Sequence, residues 1–443
     1  MNSENTAFLL SHPELKNILE AHGSKTIMEY ITFVNDFISK GDFSFFDPRQ
    51  EDFFTVYQET LKSIFDERVI WDSIETLKKN RLISTADHQG IISHPFSLSS
   101  TYARTLYAQK VGQGSVVTFP CASISLSNSS FPRGLIVHDC DDVEKKIYFK
   151  SLIHKLNPVF CEEKIERDGV QKMYDTLSSI TLEKEKRKKI LSVFKQIFFS
   201  GKFLSLKNFD EQCAYGSLML WKYVSDFNNI DLIYVSQEKL VTNLILEKHL
   251  GVSTLIHSLL CDEKTRELFV TYFDGITGAF DMKERKGTHL FWGIRGLERV
   301  SLFVQGGTLV DNQGEVFLML DSIEIKKALL EKRIMPSMPL VFIVLSFYYG
   351  FVCGGGFSQV DYLGHMKIAW MNMLRDVGEN SEADQVEKIP TNIYLGDFAF
   401  LKNRHGDLLT SLDLLVDENP TEATTTVLEA YTNLESAFQK ITF

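Results

Sequence analysis

The sequence predicts an α/β protein with a mainly parallel sheet core, an N-terminal helical region and helical connecting segments. Three observations carry this. Apolar residues recur at helical spacing through the first 80 positions, a strand–turn–helix–strand order begins at Leu82, and short apolar strands then alternate with helical stretches to about residue 375. Parallel neighbours need a crossover between them, so this alternation reads as βαβ units.

Each element has its own signal. Residues 1–80 carry helices in ELKNILEAHG, TIMEYITFVNDFIS and FFTVYQETLKSIFDERVIWDSIETLKK, with breaks at Gly23, Gly41 and Pro48. LIS at Leu82 is a strand running into the polar turn TADHQG, and SLSSTYARTLYAQKVG is a helix ending on Gly112. VVTFP is a second strand, the Ser/Asn-rich ASISLSNSSFPRG a loop, and GLIVHD a third strand or a hairpin edge. A helical insertion around 162–225 includes the basic run Lys184–Lys189, read as a solvated face. DLIYVS is a strand, EKLVTNLILEKHLG a helix ending on Gly251, and 299–320 a hairpin or two adjacent strands turning at Gly306-Gly307 and Asn312-Gln313-Gly314. SIEIKKALLEKR and QVDYLGHMKIAWMNMLRD are helices, 379–390 is a charged loop, and TTTVLEAYTNLESAFQKI closes the chain as a helix. The organisation is thus a helical region over 1–80, a core over 81–375 and a C-terminal loop and helix over 376–443.

Composition narrows the function. The 443 residues are 44% hydrophobic, enough for a large core. With 47 Lys+Arg against 58 Asp+Glu, a net charge of −11 gives no general attraction for nucleic acid or an anionic membrane. The six cysteines form no CxxC and fit a reducing cytosol rather than a disulfide framework. Pro339–Phe357 (PLVFIVLSFYYGFVCGGGF) has the length of a membrane span, but its glycines, Ser346 and the flanking Pro336 and Pro339 read better as a helix entering a buried strand and a glycine turn. A small-molecule substrate and a homo-oligomeric assembly remain as partners, with no nucleic acid and no membrane.

Three constellations offer chemistry. Asp87, His88 and Gln89, followed by His94, sit between a strand and a helix, where open parallel sheets bind ligands. His88 would serve as acid or base, with Asp87 orienting it; the structural alternative is a turn cap with histidines satisfying backbone groups. Asn128, Ser129 and Arg133 end the second strand's loop, and Arg133 offers a planar fork to a carboxylate or phosphate, or is simply exposed. Gly354, Gly355 and Gly356 lead to Gln359, Tyr362 and Lys367, an arrangement that lets backbone N–H groups cradle an anion or makes a tight turn under a packed helix. The GxxxxGK[ST] spacing is absent. His88, His94 and His138 also make a metal-dependent hydrolase or oxygenase a reading to weigh, though their spacing matches no standard two-His helix motif.

The order of these segments resembles the cysteine-adding enzyme family of bacillithiol biosynthesis, ligases that join cysteine to glucosaminyl malate. About eighty helical residues precede a turn, here Thr85 to Phe96, that keeps Thr85, Gly90 and Pro95 of the family pattern. A paired-strand segment, a short helix, an apolar stretch and a glycine turn with its helix follow in the family's order, and GGFSQVDYLGHMK matches its Tyr and Lys at Tyr362 and Lys367. Asp87-His88 replaces the family's Gln pair, and Gly356 to Gln359 departs from its PGE. The resemblance implies a Rossmann-like core with a pocket at the strand ends and brings ATP or ADP forward as cofactor. The family's long C-terminal coiled coil, which bears a nucleotide site, has no full counterpart in residues 368–443.

The expectation is a cytosolic ligase- or transferase-like enzyme acting on a small polar or anionic metabolite and forming a carbon–nitrogen bond with an amine. The alternatives are a noncatalytic metabolite-binding protein on the same fold and the metal-dependent reading.

Overall fold

A computed structural model describes residues 3–225, 229–296, 298–403, 405–416 and 424–433. Its centre is a four-stranded, wholly parallel sheet of β1 (Leu82–Ser84), β2 (Ser115–Thr118), β3 (Asp231–Tyr234) and β4 (Val352–Gly354), in the order β4-β1-β2-β3. The register pairs Ile83 with Cys353, Ser84 with Thr118, and Val117 with Ile233. Successive side chains leave opposite faces of a strand. Ile83, Val117, Ile233 and Cys353 accordingly enter one core, and Val116, Leu232, Tyr234 and Val352 another. Burial on both sides explains why these strands read as unbroken apolar runs rather than alternating ones.

The N-terminal helices divide between the two faces. Asp47–Leu61 and Glu67–Lys79 supply the first core, whereas Ile27–Ser39 packs with helix α1 (Pro95–Val111) in the second. Helix α1 joins β1 to β2 and stops at Gly112, whose φ of 68° suits a residue without a side chain. Helices fill 167–224, ending with Phe209–Val224 directly before β3. The apolar stretch behaves as read: helix Met338–Phe342 continues through a wide turn at Ile343–Tyr348, reverses at Gly350 and enters β4. Among the described residues, no helix is long and apolar enough to cross a membrane.

Of the two readings of GLIVHD, the hairpin edge holds: among the described residues Gly134–His138 pairs with Glu144–Tyr148, outside the parallel sheet. Two expectations need revision. The 299–320 segment holds three antiparallel strands, Phe303–Gln305, Thr308–Val310 and Val316–Met319. The charged stretch expected as a loop contains helix Asn380–Glu387; its charges hid an inner face on which Ala383 and Val386 are buried and Glu382 receives both Nη atoms of Arg49 at 2.6 and 2.7 Å. Of the predicted last helix, 427–433 is helical and 434–441 lies outside the described residues.

Candidate active site at the strand ends

A cavity of about 330 Å³ opens where the four parallel strands end, within the size range of metabolite pockets. Each strand delivers a side chain to it. Thr85 and His88 follow β1, Cys121 follows β2, Gln237 follows β3 and Gln359 follows β4. Backbone hydrogen bonds carry the pairing past the strands proper: Gln89 N–H donates to the Cys121 carbonyl and Cys121 N–H to the Asp87 carbonyl, both at 2.8 Å, and Gln237 N–H donates to the Pro120 carbonyl at 3.1 Å. The opposite wall comes from a small antiparallel sheet of Phe291–Arg295, Glu298–Val300 and Ile334–Pro336, which places Trp292 and Arg299 on the cavity. The Arg299 guanidinium lies 4.0 Å from the Trp292 ring centroid and donates to the Ser123 carbonyl at 2.7 Å.

The cavity's acid comes from a segment that no motif marked. After β4 the chain makes helix α2 (Phe357–Asp376), and residues 393–397 return to lie along the glycine turn. Gly355 N–H donates to the Ile393 carbonyl at 2.9 Å, and the Gly355 carbonyl accepts from Leu395 N–H at 2.9 Å and Gly396 N–H at 3.0 Å. This sets the Asp397 carboxylate over the first turn of α2, where Oδ2 accepts from Phe357 N–H at 3.0 Å. A helix start favours a negative charge. Burial opposes it more strongly, and with the Asp87 charge nearby it pushes the Asp397 carboxyl up to about 7 despite the Phe357 bond. Asp397 is therefore a half-buried carboxyl on the cavity that holds or releases its proton near neutrality.

This geometry corrects the anion cradle. Gly354 gives its carbonyl to Thr85 N–H at 2.9 Å, Gly355 N–H is taken by Ile393, and Phe357 N–H is taken by Asp397. A Cβ on Gly356 would come within 2.1 Å of Asp397 Oδ2. The turn already contains a carboxylate of the protein's own where the cradle reading placed a bound anion.

The other predicted residues separate into those facing the cavity and those behind it. His88, Gln359 and Tyr362 line it. The imidazole Nδ1 of His88 is 3.1 Å from Ser130 Oγ, and burial holds the ring below its ordinary pKa, against a bond to Asn128. Gln359 is locked to Thr85, with Nε2 2.7 Å from the Thr85 hydroxyl. Asp87 stands behind the wall rather than orienting His88: burial raises its carboxyl while Arg104, Ser97 and Tyr234 pull it down. Arg104 is buried and bonded to Val117 O at 3.0 Å and Thr118 Oγ1 at 2.7 Å.

Gln89 is turned away to Asp210, donating to its Oδ1 at 2.7 Å, and His94 caps α1, accepting from Phe96 N–H at 3.5 Å. Burial lowers His94 to about 4. Asn128 accepts from Ser130 N–H and Oγ, and Ser129 is exposed. Arg133 lies 4.9 Å over the Tyr148 ring. That loop lines the cavity with Ser123 and Ile124 and meets His88 through Asn128 and Ser130, while Pro132 lies close to Gly90. Lys367 caps the far helix Asn380–Glu387 through the Glu387 and Ile389 carbonyls at 3.2 and 2.9 Å. His138 Nδ1 is 2.6 Å from Asp413 Oδ2, an ion pair within the hairpin's own packing. Among the described residues, no three His, Cys, Asp or Glu side chains are grouped as a metal site requires.

Sequence reasoning missed Asp397, Gln237 and Arg299. Gln237 was reachable, because it is the first residue beyond a predicted strand end. Asp397 had a fainter signal, a single carboxylate inside the apolar run Tyr394 to Leu401. No protein-family model matches the chain, and neither does any curated protein.

Proposed function

We propose that the chain is a transferase- or ligase-type enzyme that joins an amine to an acyl carbon of a small polar or anionic metabolite, on a Rossmann-like core distantly related to the cysteine-adding enzymes of bacillithiol biosynthesis. The observation that carries the reading is Asp397, a half-buried carboxyl with a proton affinity near neutrality, on a metabolite-sized cavity at the carboxyl ends of a parallel sheet.

In this reaction the ionised Asp397 takes a proton from the incoming ammonium or from the amine as it attacks the carbonyl carbon. The protonated carboxyl then returns a proton to the leaving group, so an activated acyl donor suffices and no nucleotide step is invoked. Arg299 supplies the cation for the metabolite's anionic group, the role first read into Arg133. His88, kept neutral by burial, is a hydrogen-bonding wall group rather than the base, and Asp87 is a charge behind Asp397 that helps keep its proton affinity high.

The test is untargeted mass spectrometry of a metabolite extract incubated with the purified protein and with Asp397→Asn. The expected result is a pair of species consumed and one formed only with the unaltered chain. A metabolite retained unchanged by both proteins would replace the reaction with the binding-protein reading.

A further inference from the structure

Gln237 opens helix Gln237–Leu244 at the end of β3 and is 2% exposed. Its side chain lines the cavity, yet among the described residues its amide has no hydrogen-bond partner, and Oε1 is buried without one. Buried polar groups in folded proteins are nearly always paired, so an orphan amide on a cavity wall marks the place of a ligand group. The turn that holds it is fixed: the buried Glu238 carboxylate accepts from Ala122 N–H at 2.7 Å and Ser123 N–H at 2.9 Å. Arg299 is anchored to that same turn through Ser123 and stacked on Trp292, which sets a planar cation layered on a ring beside the amide.

The geometry points to a subsite for a planar group that presents an N–H donor beside an acceptor, the edge carried by a carboxamide or a nucleobase. The ligand N–H donates to Gln237 Oε1, and the ligand acceptor receives Gln237 Nε2–H. A glutamine side chain pairs with such an edge through two parallel hydrogen bonds, and planar groups stack on guanidinium. This rests on reading the cavity as the substrate site and adds what the substrate carries.

Calorimetric titration of the full chain with two matched pairs tests it: nicotinamide against methyl nicotinate, and adenine against purine, the last two as their 9-methyl derivatives. With N9 blocked, the second member of each pair lacks the N–H donor. At least one pair is expected to discriminate by roughly tenfold, the effect of leaving one buried acceptor unpaired, and that pair identifies the source of the edge. Gln237→Leu, checked for folding, is expected to abolish the discrimination. Failure of nicotinamide and 9-methyladenine to bind, equal binding within both pairs, or discrimination that survives Gln237→Leu overturns the proposal. Asp397→Asn is expected to bind the probes as the unaltered chain does. Probe discrimination without turnover would then fell the catalytic reading alone, and turnover without discrimination would fell this one alone.

Discussion

Asp397, half-buried on the cavity, and Asp413, buried, are carboxylates of the C-terminal segment that behave in opposite ways. Asp413 accepts from His138 N–H at 3.1 Å and from Thr410 N–H and Oγ1 at 3.1 and 2.7 Å, pairs with the His138 ring, and has Lys186 Nζ at 3.2 Å. Burial pushes its pKa up, but these partners overcome it and hold the carboxyl below its ordinary value. Asp397 has one backbone donor, and for it burial wins. The difference lies in their partners: a fully paired carboxylate is held ionised, whereas one left a single hydrogen bond and little opposing charge keeps its proton to a higher pH.

Four substitutions sharpen or break this contrast. Asp397→Asn is expected to lower turnover about 10²–10⁴-fold, read as product formed by mass spectrometry. It also removes a pH dependence of stability. The raised pKa stabilises the fold below the unfolded value near 4, and that contribution is lost as pH rises through about 7, a swing of about 4 kcal/mol. Denaturant unfolding across that range should show the slope in the unaltered chain and not in the variant.

Asp413→Asn is expected to destabilise by about 3 kcal/mol with turnover intact, because it strands Lys186 and His138. Burial lowers the His138 pKa, but Asp413 outweighs it and raises the net value. The His138 contribution is full below about 6.5 and lost as pH rises through the raised value; that of Asp413 is full above about 4 and lost as pH falls through the lowered one. The pair thus stabilises most between those limits, and unfolding curves of the variant should lack both flanks.

Gly356→Ala is expected to cost about 1–3 kcal/mol by overpacking against Asp397. By easing that carboxylate outward it should also shift the pH–rate midpoint to the acid side. Lys367→Met is the smallest change, within about 1 kcal/mol and without effect on turnover. A large loss of turnover there would show that the helix-capping role is incomplete.

The central strands were legible because burial on both faces leaves apolar runs bounded by turns, as in SVVT and DLIY. The rule that parallel sheets bind at their carboxyl ends brought His88 forward and the glycine turn brought Gln359, and both line the cavity. It failed for Arg133 and Ser129 because GLIVHD belongs to a hairpin, so the loop before it follows a different course from the one expected. It also failed at the glycine turn, where the Gly355 N–H looks free until the returning chain claims it. Asp397 was invisible to motif reading because nothing local shows which turn a distant segment will cover.

The returning segment has a consequence for biosynthesis. β1 meets β4 only when Leu82 finds Val352, and Asp397 follows later still. A nascent chain stalled on the ribosome short of that aspartate has the makings of the cavity walls and no proton to exchange. On the proposed mechanism, chemistry at this site waits until residue 397 has been made, and a product truncated before it lacks the proposed acid.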